Sequence, residues 1–247
     1  MDLLEGSADP GGDPALDVAL PHALLRLVAE GRRGPVLRSY RPHPTVAFGR
    51  RDTFLPGFER AVAAARKRNF TSVVRGAGGR AAAYDSGCLV FDEIMPAEDS
   101  TEGIQARFAI EAELQARALR RLGVDARVGH VPGEYCPGEF SVNARGRTKL
   151  IGAAQRIVHG GWLLSTVVVI ESGPRIKAVL EDVYAELGLE WDPATAGAVA
   201  DEIPGMSVEN VREAILAQYA ERAALTPRPL AADELAAAKE LAERYRV

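Results

Sequence analysis

The chain places a cysteine in a turn-prone segment, Pro132-Gly133-Glu134-Tyr135-Cys136-Pro137-Gly138, and a lysine thirteen residues later at Lys149. Cys136 stands between two Pro/Gly pairs, where the backbone has to turn and face solvent. A thiol in such a loop can act as a nucleophile if a nearby cation or base deals with its proton. The competing reading is a small buried hydrophobe, the usual state of a free cysteine, and residue types alone leave the two level. Lys149 leads into Leu150-Ile151-Gly152-Ala153-Ala154-Gln155-Arg156, a run of small and apolar residues where another molecule could approach the backbone. A solvated strand lysine is the bland alternative, but its neighbours look packed, which favours a cation returned to the Cys136 loop. A thiol and an amine beside a narrow pocket suit acyl transfer.

A second segment carries ligand chemistry. Arg75-Gly76-Ala77-Gly78-Gly79-Arg80-Ala81-Ala82-Ala83 follows a strand and has no bulky side chain between its arginines. Glycines there let a ligand come close to exposed N–H donors, although a Gly-rich turn is more often purely structural. No Lys-Ser/Thr follows, so it is not a Walker loop, and the glycine spacing is not that of a dinucleotide fold. Tyr84 and Asp85 close the segment. Asp85, just before Ser86-Gly87, reads either as a ligand-orienting group or as a turn residue. Cys88 lies in an apolar run and reads as core. His22, His43, His130 and His159 are dispersed without metal-ligand spacing, so no metal is expected. Only His159 lies near the motif, as a minor candidate for substrate contact or base. Phe48 and Trp162 read as core.

The elements that must position these residues are legible in outline. A flexible leader is expected over residues 1–12. Asp13 and Pro14 then start a helix with Leu16, Leu20, Ala23, Leu24 and Leu27 along one stripe. Short strands are predicted at 35–40, 45–49 and 71–75, with a helix over 57–68 between the last two. Strand 87–95, helix 102–121 and strand 125–131 follow. Residues 139–152 read as a hairpin turning at 144–146, and Trp162–Ile170 is the strongest strand signal. From Pro174 the pattern becomes helical, over 174–187, 207–222 and 231–245, with a Pro-rich joint at Thr226-Pro227-Arg228-Pro229. Strands with inserted helices and a helical tail argue for an α+β fold, a mixed β-sheet core flanked by helices. The expected organisation is a catalytic domain over 13–173 and a helical C-terminal extension over 174–247 packed on it.

Composition narrows the class. At 247 residues and 47% hydrophobic content the chain can bury a core without disulfides or metals. A net charge of −4 argues against a nucleic-acid partner. The arginines between Arg32 and Arg51 form a locally basic segment, read as a solvated face or as a docking surface for an acidic partner. Two distant cysteines favour a reducing cytoplasm over a disulfide framework. No apolar run is long enough for a membrane span, and no signal-peptide pattern opens the chain. A monomer is the default.

These segments together resemble the biotin/lipoate protein ligase and lipoyl/octanoyl transferase superfamily. Arg75-Gly-Ala-Gly-Gly-Arg-Ala-Ala-Ala-Tyr-Asp85 is similar to its Gly-Gly loop, and Lys149-Leu-Ile-Gly-Ala-Ala-Gln-Arg156 to its Lys-x-x-Gly-x-(Ala/Ser)-Gln-Arg segment. Pro44-Thr-Val-Ala-Phe-Gly49 and Asp17-Val-Ala-Leu20 match two further positions, all in family order over roughly 13–170. Phe48-Gly-Arg-Arg-Asp-Thr-Phe-Leu-Pro56 and Tyr135-Cys-Pro-Gly-Glu-Phe-Ser-Val142 resemble the amidotransferase branch. That branch moves octanoyl groups from the glycine-cleavage H protein to lipoyl domains of 2-oxoacid dehydrogenases through a cysteine thioester. The resemblance implies Cys136 as nucleophile and Lys149 at the acyl carbonyl. It implies substrate contacts from Arg75, Gly76, Gly78, Gly79, Arg80, Ala81, Tyr84, Asp85, Gly152, Ala153, Ala154 and Gln155. No cofactor is then needed. Alternatives are transfer from acyl carrier protein, an ATP- and Mg-dependent lipoate ligase, and a silent lipoyl-domain-binding module. The chain departs from the ligases at Tyr84, where they carry His, and at Arg80, where they carry a third Gly. It departs from the amidotransferases at Gly76-Ala77, where they carry Asn-Ser, and Thr148 reads as an insertion before Lys149.

Overall fold

The strand run ending at Val169 lies at the centre of the main sheet, paired on both sides, which explains why nearly all of it is apolar. A computed structural model describes residues 1–9 and 11–247. The elements in order are β1 (Asp2–Glu5), α1 (Pro14–Ala29), β2 (Val36–Tyr40), β3 (Thr45–Phe48), α2 (Phe58–Lys67), β4 (Thr71–Val74), β5 (Ala82–Tyr84), β6 (Cys88–Pro96) and α3 (Ile104–Arg121). They continue with β7 (Ala126–Val128), β8 (Val142–Ala144), β9 (Thr148–Val158), β10 (Gly161–Val169), α4 (Gly173–Leu187), α5 (Val199–Glu202), α6 (Val208–Ala220), β11 (Thr226–Pro227) and α7 (Ala232–Ala242). The main sheet has eight strands in the order β11-β1-β2-β6-β10-β9-β8-β7, and a small sheet has the order β4-β3-β5. Parallel and antiparallel pairs coexist, so the expected α+β mixed sheet with flanking helices is what the chain forms.

Local chemistry sets the element ends. Asp13 accepts from the Ala15 N–H and Pro14 takes the first turn, starting α1 where its stripe begins. Gly188, at φ 67°, closes α4 in the left-handed region. Side chains alternate along the strands, so the main sheet has two buried faces. Val36, Cys88, Ile94, Leu163 and Val169 pack with α1, α4 and α7 on one face, here called inner. Leu37, Leu89, Phe91 and Val168 pack with α3 and α6 on the outer face.

Three expectations change. The flexible leader contains β1, whose Leu3 and Leu4 are buried because β2 and β11 flank it in parallel; Pro10 of that leader lies outside the described residues. The Pro-rich joint supplies β11. In the basic segment, Arg38 is fully buried against Asp17 and Asp92, so it belongs to no solvated face. The Thr148 register has a simple answer: Lys149 pairs with Asn143, and a bulge between Val142 and Asn143 absorbs the extra residue. The C-terminal helices join the same body, since α4 packs on α2 and α7 on α1.

Candidate active site

A cavity of about 890 Å³ opens between the Gly76–Gly79 loop, the Cys136 loop, β9 from Lys149 to Ile157 and the inner face of β2, β6 and β10, with α1 closing one side. Its size falls within the range of small-molecule sites. It is lined by Cys136 and Lys149 and by Arg75, Gly76, Gly78, Gly79, Tyr84, Gly152, Ala153, Ala154 and Gln155. Folding therefore gathers nearly every expected residue on one surface.

Cys136 is half-buried and has φ 41°, a left-handed conformation rare for a side chain other than glycine. Such a conformation is held by its surroundings. The Cys136 N–H donates to the Tyr184 hydroxyl at 2.9 Å, and that hydroxyl donates to the Ala81 carbonyl at 2.9 Å. The sulfur accepts from the Arg80 N–H at 3.2 Å and from Arg75 Nη2 at 3.5 Å. Arg75 also donates to the Arg80 carbonyl at 2.8 Å, so one guanidinium braces the loop and faces the sulfur. The donors converge on the atom where negative charge would form. Cys88, by contrast, is fully buried in the inner-face core, and burial pushes its thiol up to about 12.

The glycines of the loop have specific reasons. Gly79 has φ 101°, and a Cβ there would stand 2.8 Å from Cys136 Sγ and 2.5 Å from Arg75 Nη2. Gly49 must lack a side chain because the Gly79 carbonyl occupies that space. Asp52 is buried, accepts from the Gly49 N–H at 2.8 Å and holds Arg80 at 3.1 Å. The Phe48–Pro56 segment thus positions the loop that faces the thiol.

Lys149 is buried at the base of the Cys136 loop. Its ammonium donates to the carbonyls of Tyr135 at 3.1 Å and Cys136 at 2.8 Å, and Glu134 Oε2 lies 3.1 Å away. Two of three ammonium donors therefore fix the loop, and the third faces the Glu134 carboxylate. Glu134 is buried and anchors the turn from within, accepting from Gly138 N–H at 3.2 Å and Ser141 Oγ at 3.1 Å, with His130 Nδ1 at 2.9 Å. The Gln155 amide is buried on the cavity wall, and neither its nitrogen nor its oxygen meets a protein partner among the described residues.

Other expected residues stand behind the cavity. Ala81 serves through its carbonyl, and Arg80 reaches the sulfur through its backbone while its side chain turns to Asp52. Asp85 accepts from the Gly87 N–H at 2.9 Å and pairs with Arg175 at 2.7 Å, and so caps the turn into β6. His159 is exposed at the β9–β10 turn, outside the cavity. Phe48 is buried as expected, whereas Trp162 is only half-buried beneath Arg107. Tyr184, Glu134 and Asp52 carry much of the positioning and were not singled out. Tyr184 gives no local signal, being one aromatic on an apolar helical stripe, whereas Glu134 and Asp52 each sit inside a motif.

The chain belongs to the lipoyl protein ligase A/B catalytic domain family, whose model matches residues 13–220. It is 30% identical over 192 residues to the octanoyl-GcvH:protein N-octanoyltransferase of Geobacillus kaustophilus, covering 78% of this chain and 67% of that protein. It is 32% identical over 179 residues to the enzyme of the same name from Anoxybacillus flavithermus, covering 72% of this chain and 64% of that protein. The chain thus spans about two thirds of the length of these relatives. In fold it is similar to a lipoate-protein ligase A crystallised with ATP, with a TM-score of 0.76 at 22% identity over 98% of this chain and 94% of that one. Among the described residues no helix is long and apolar enough to cross a membrane.

Proposed function

We propose that this chain is an acyltransferase of protein lipoylation that carries an octanoyl or lipoyl group on Cys136. The carrying observation is the thiol itself: it lines the cavity from a left-handed backbone position and faces the Arg80 N–H and the Arg75 guanidinium. A ligase that adenylates a free acid has no use for that arrangement. The relatives' names supply the donor class, an octanoyl group on the glycine-cleavage H protein. A lipoyl domain of a 2-oxoacid dehydrogenase supplies the acceptor lysine.

The Cys136 sulfur attacks the carbonyl carbon of the octanoyl-lysine amide, and the C–N bond breaks. The amine leaves with the thiol's proton, and a thioester remains. The acceptor lysine's amine attacks that thioester, the C–S bond breaks and the thiol is restored. The Arg80 N–H, which faces the sulfur, and the Lys149 ammonium, whose positive charge lies at the base of the Cys136 loop, are the groups that would stabilise the oxyanion that forms in each step. The cavity holds the alkyl chain, whose six methylenes contribute about 5 kcal/mol at about 0.8 kcal/mol each.

The test is a mass measurement. Incubation with octanoyl-H protein and no ATP should add one octanoyl mass to Cys136, removable by hydroxylamine. Octanoyl-acyl carrier protein in a parallel reaction decides the donor. No gain from either, with ATP-dependent modification of a lipoyl domain by free lipoate, would replace this reading with the ligase. Binding of a lipoyl domain without either reaction would leave the silent module.

A further inference from the structure

A lysine side chain has only a four-carbon stem, and the Cys136 sulfur that its acyl group must reach is half-buried. The surface of the carrier that bears the lysine must therefore meet the rim of the cavity. That rim has a charge of its own. Among the exposed, described residues that line the cavity, Arg50, Arg51 and Arg156 are cationic and Glu139 is the only anion, on a chain whose net charge is −4. Other arginines of this region are paired, Arg60 with Glu186 at 2.7 Å, Arg68 with Asp182 at 2.6 Å and Arg80 with Asp52 at 3.1 Å. Arg50 and Arg51 are exposed and meet no carboxylate among the described residues.

Phe54 follows on the same turn and is 78% exposed, the most exposed large apolar side chain among the described residues. One such residue alone needs no explanation. This one borders the cavity with the two arginines, and half-buried Phe108 and Phe140 line the same cavity with their rings stacked at 6.1 Å. Aromatic side chains and arginine are the types that carry most binding energy at protein interfaces. Hydrogen bonds hold the turn in shape. The Asp52 N–H donates to the Gly49 carbonyl at 2.9 Å, the Leu55 N–H to the Asp52 carbonyl at 3.0 Å and Thr53 Oγ1 to the Arg50 carbonyl at 2.9 Å. A preformed surface of this kind loses little freedom on binding. Asp52, between the exposed residues, points inward to Arg80, so the turn that faces a carrier also holds the loop that faces the sulfur.

We propose that Arg50, Arg51 and Phe54 form the docking surface for the acyl carriers, each a folded domain with carboxylates and an apolar side chain beside its modified lysine. Donor and acceptor reach one sulfur across one rim, so they dock there in turn and compete. The proposal rests on the reading of Cys136 as the acyl-bearing residue. Calorimetry with unmodified H protein measures docking alone. Single-turnover acylation of Cys136 by octanoyl-H protein measures docking with transfer. Acylation by N-acetyl-S-octanoylcysteamine, in which the sulfur takes the acyl group and the small thiol leaves, measures transfer without a carrier. Arg50→Glu/Arg51→Glu should weaken H-protein binding, and raise the octanoyl-H protein concentration for half-maximal acylation, by about tenfold or more, and Phe54→Ala by about fivefold. Acylation by the small thioester should change less than about twofold, as should every readout in Arg66→Glu, which alters an exposed arginine outside the cavity. Unmodified lipoyl domain should inhibit acylation by octanoyl-H protein competitively. Unchanged carrier binding in both rim variants, an equal loss with the small thioester, no competition between the carriers, or self-association of the chain through these residues in place of carrier binding overturns the docking surface. Carrier binding that weakens as expected in the rim variants, with no thioester on Cys136 from either donor, overturns the transfer reading and leaves the docking surface standing.

Discussion

Strand β6 supplies Asp92 and Glu93 to opposite faces of the sheet, and the two carboxyls have different fates. On the outer face, Glu93 and Glu111 meet Arg222 at 3.3 and 3.6 Å. Tyr219 donates to Glu111, and Gln115 Nε2 bridges Glu111 at 2.8 Å and Thr166 at 2.7 Å. These partners come from α3, β10 and the end of α6, which seal the network against the sheet. On the inner face, Asp92, Arg38 and Asp17 form a cluster of similar composition that borders the cavity. Buried ionisable groups therefore do not mark a site by themselves. What distinguishes the inner cluster is the space beside it and the thiol lining that same space.

Substitutions at the thiol should widen this contrast most. Cys136→Ser should remove the hydroxylamine-sensitive mass gain and lower transfer about a thousandfold or more, with melting temperature little changed. Gly79→Ala places a methyl 2.8 Å from the sulfur. Transfer should fall about a hundredfold, because small displacements of reacting groups are costly, while circular dichroism shows an intact fold. Tyr184→Phe breaks the link from the Cys136 N–H to the Ala81 carbonyl. A rate loss of about tenfold and a stability loss of about 1 kcal/mol are expected, measured by single-turnover acylation and urea unfolding.

The outer face should answer in stability alone. Burial and the neighbouring Glu93 push the Glu111 carboxyl from 4.5 up to about 8. Between those values the folded chain binds more protons than the unfolded one, so stability falls as pH rises through that window. Glu111→Gln should flatten the fall in melting temperature between pH 6 and 8 by a few degrees and change transfer less than about twofold. Asp92 contributes a fall of the same sign, but only up to about 6, where burial places it. A residual slope below pH 6 in Glu111→Gln would separate the two faces. A large transfer defect in that variant would show that the faces are coupled.

The elements that were read correctly are those whose signals are local. The periodicity of α1, α3 and β10 and the Asp13 cap needed no distant partner, and the hairpin turn expected at 144–146 falls one residue on, at 145–147. β1 was missed because four residues carry too little pattern, and its strand state comes from β2 and β11, far away in the chain. Arg38 looked like one of several surface arginines until alternation in β2 pointed it inward. Asp85 resembled a site residue because it shares a motif with Tyr84, but consecutive strand-end residues diverge and only Tyr84 lines the cavity.

The chain's covalent order by itself determined the turn that presents Cys136, the small residues of the Gly76–Gly79 loop and the family to which both belong, because backbone freedom and side-chain size are properties of each residue. The tertiary structure alone decided what surrounds the sulfur. Arg80 and Tyr184 are 56 and 48 residues from Cys136, and hydrogen bonds a few ångströms long between such positions exist only once the sheet register and helix packing are set. The same holds for Lys149, whose ammonium is tied to the loop carbonyls by the bulge and pairing of β8 and β9.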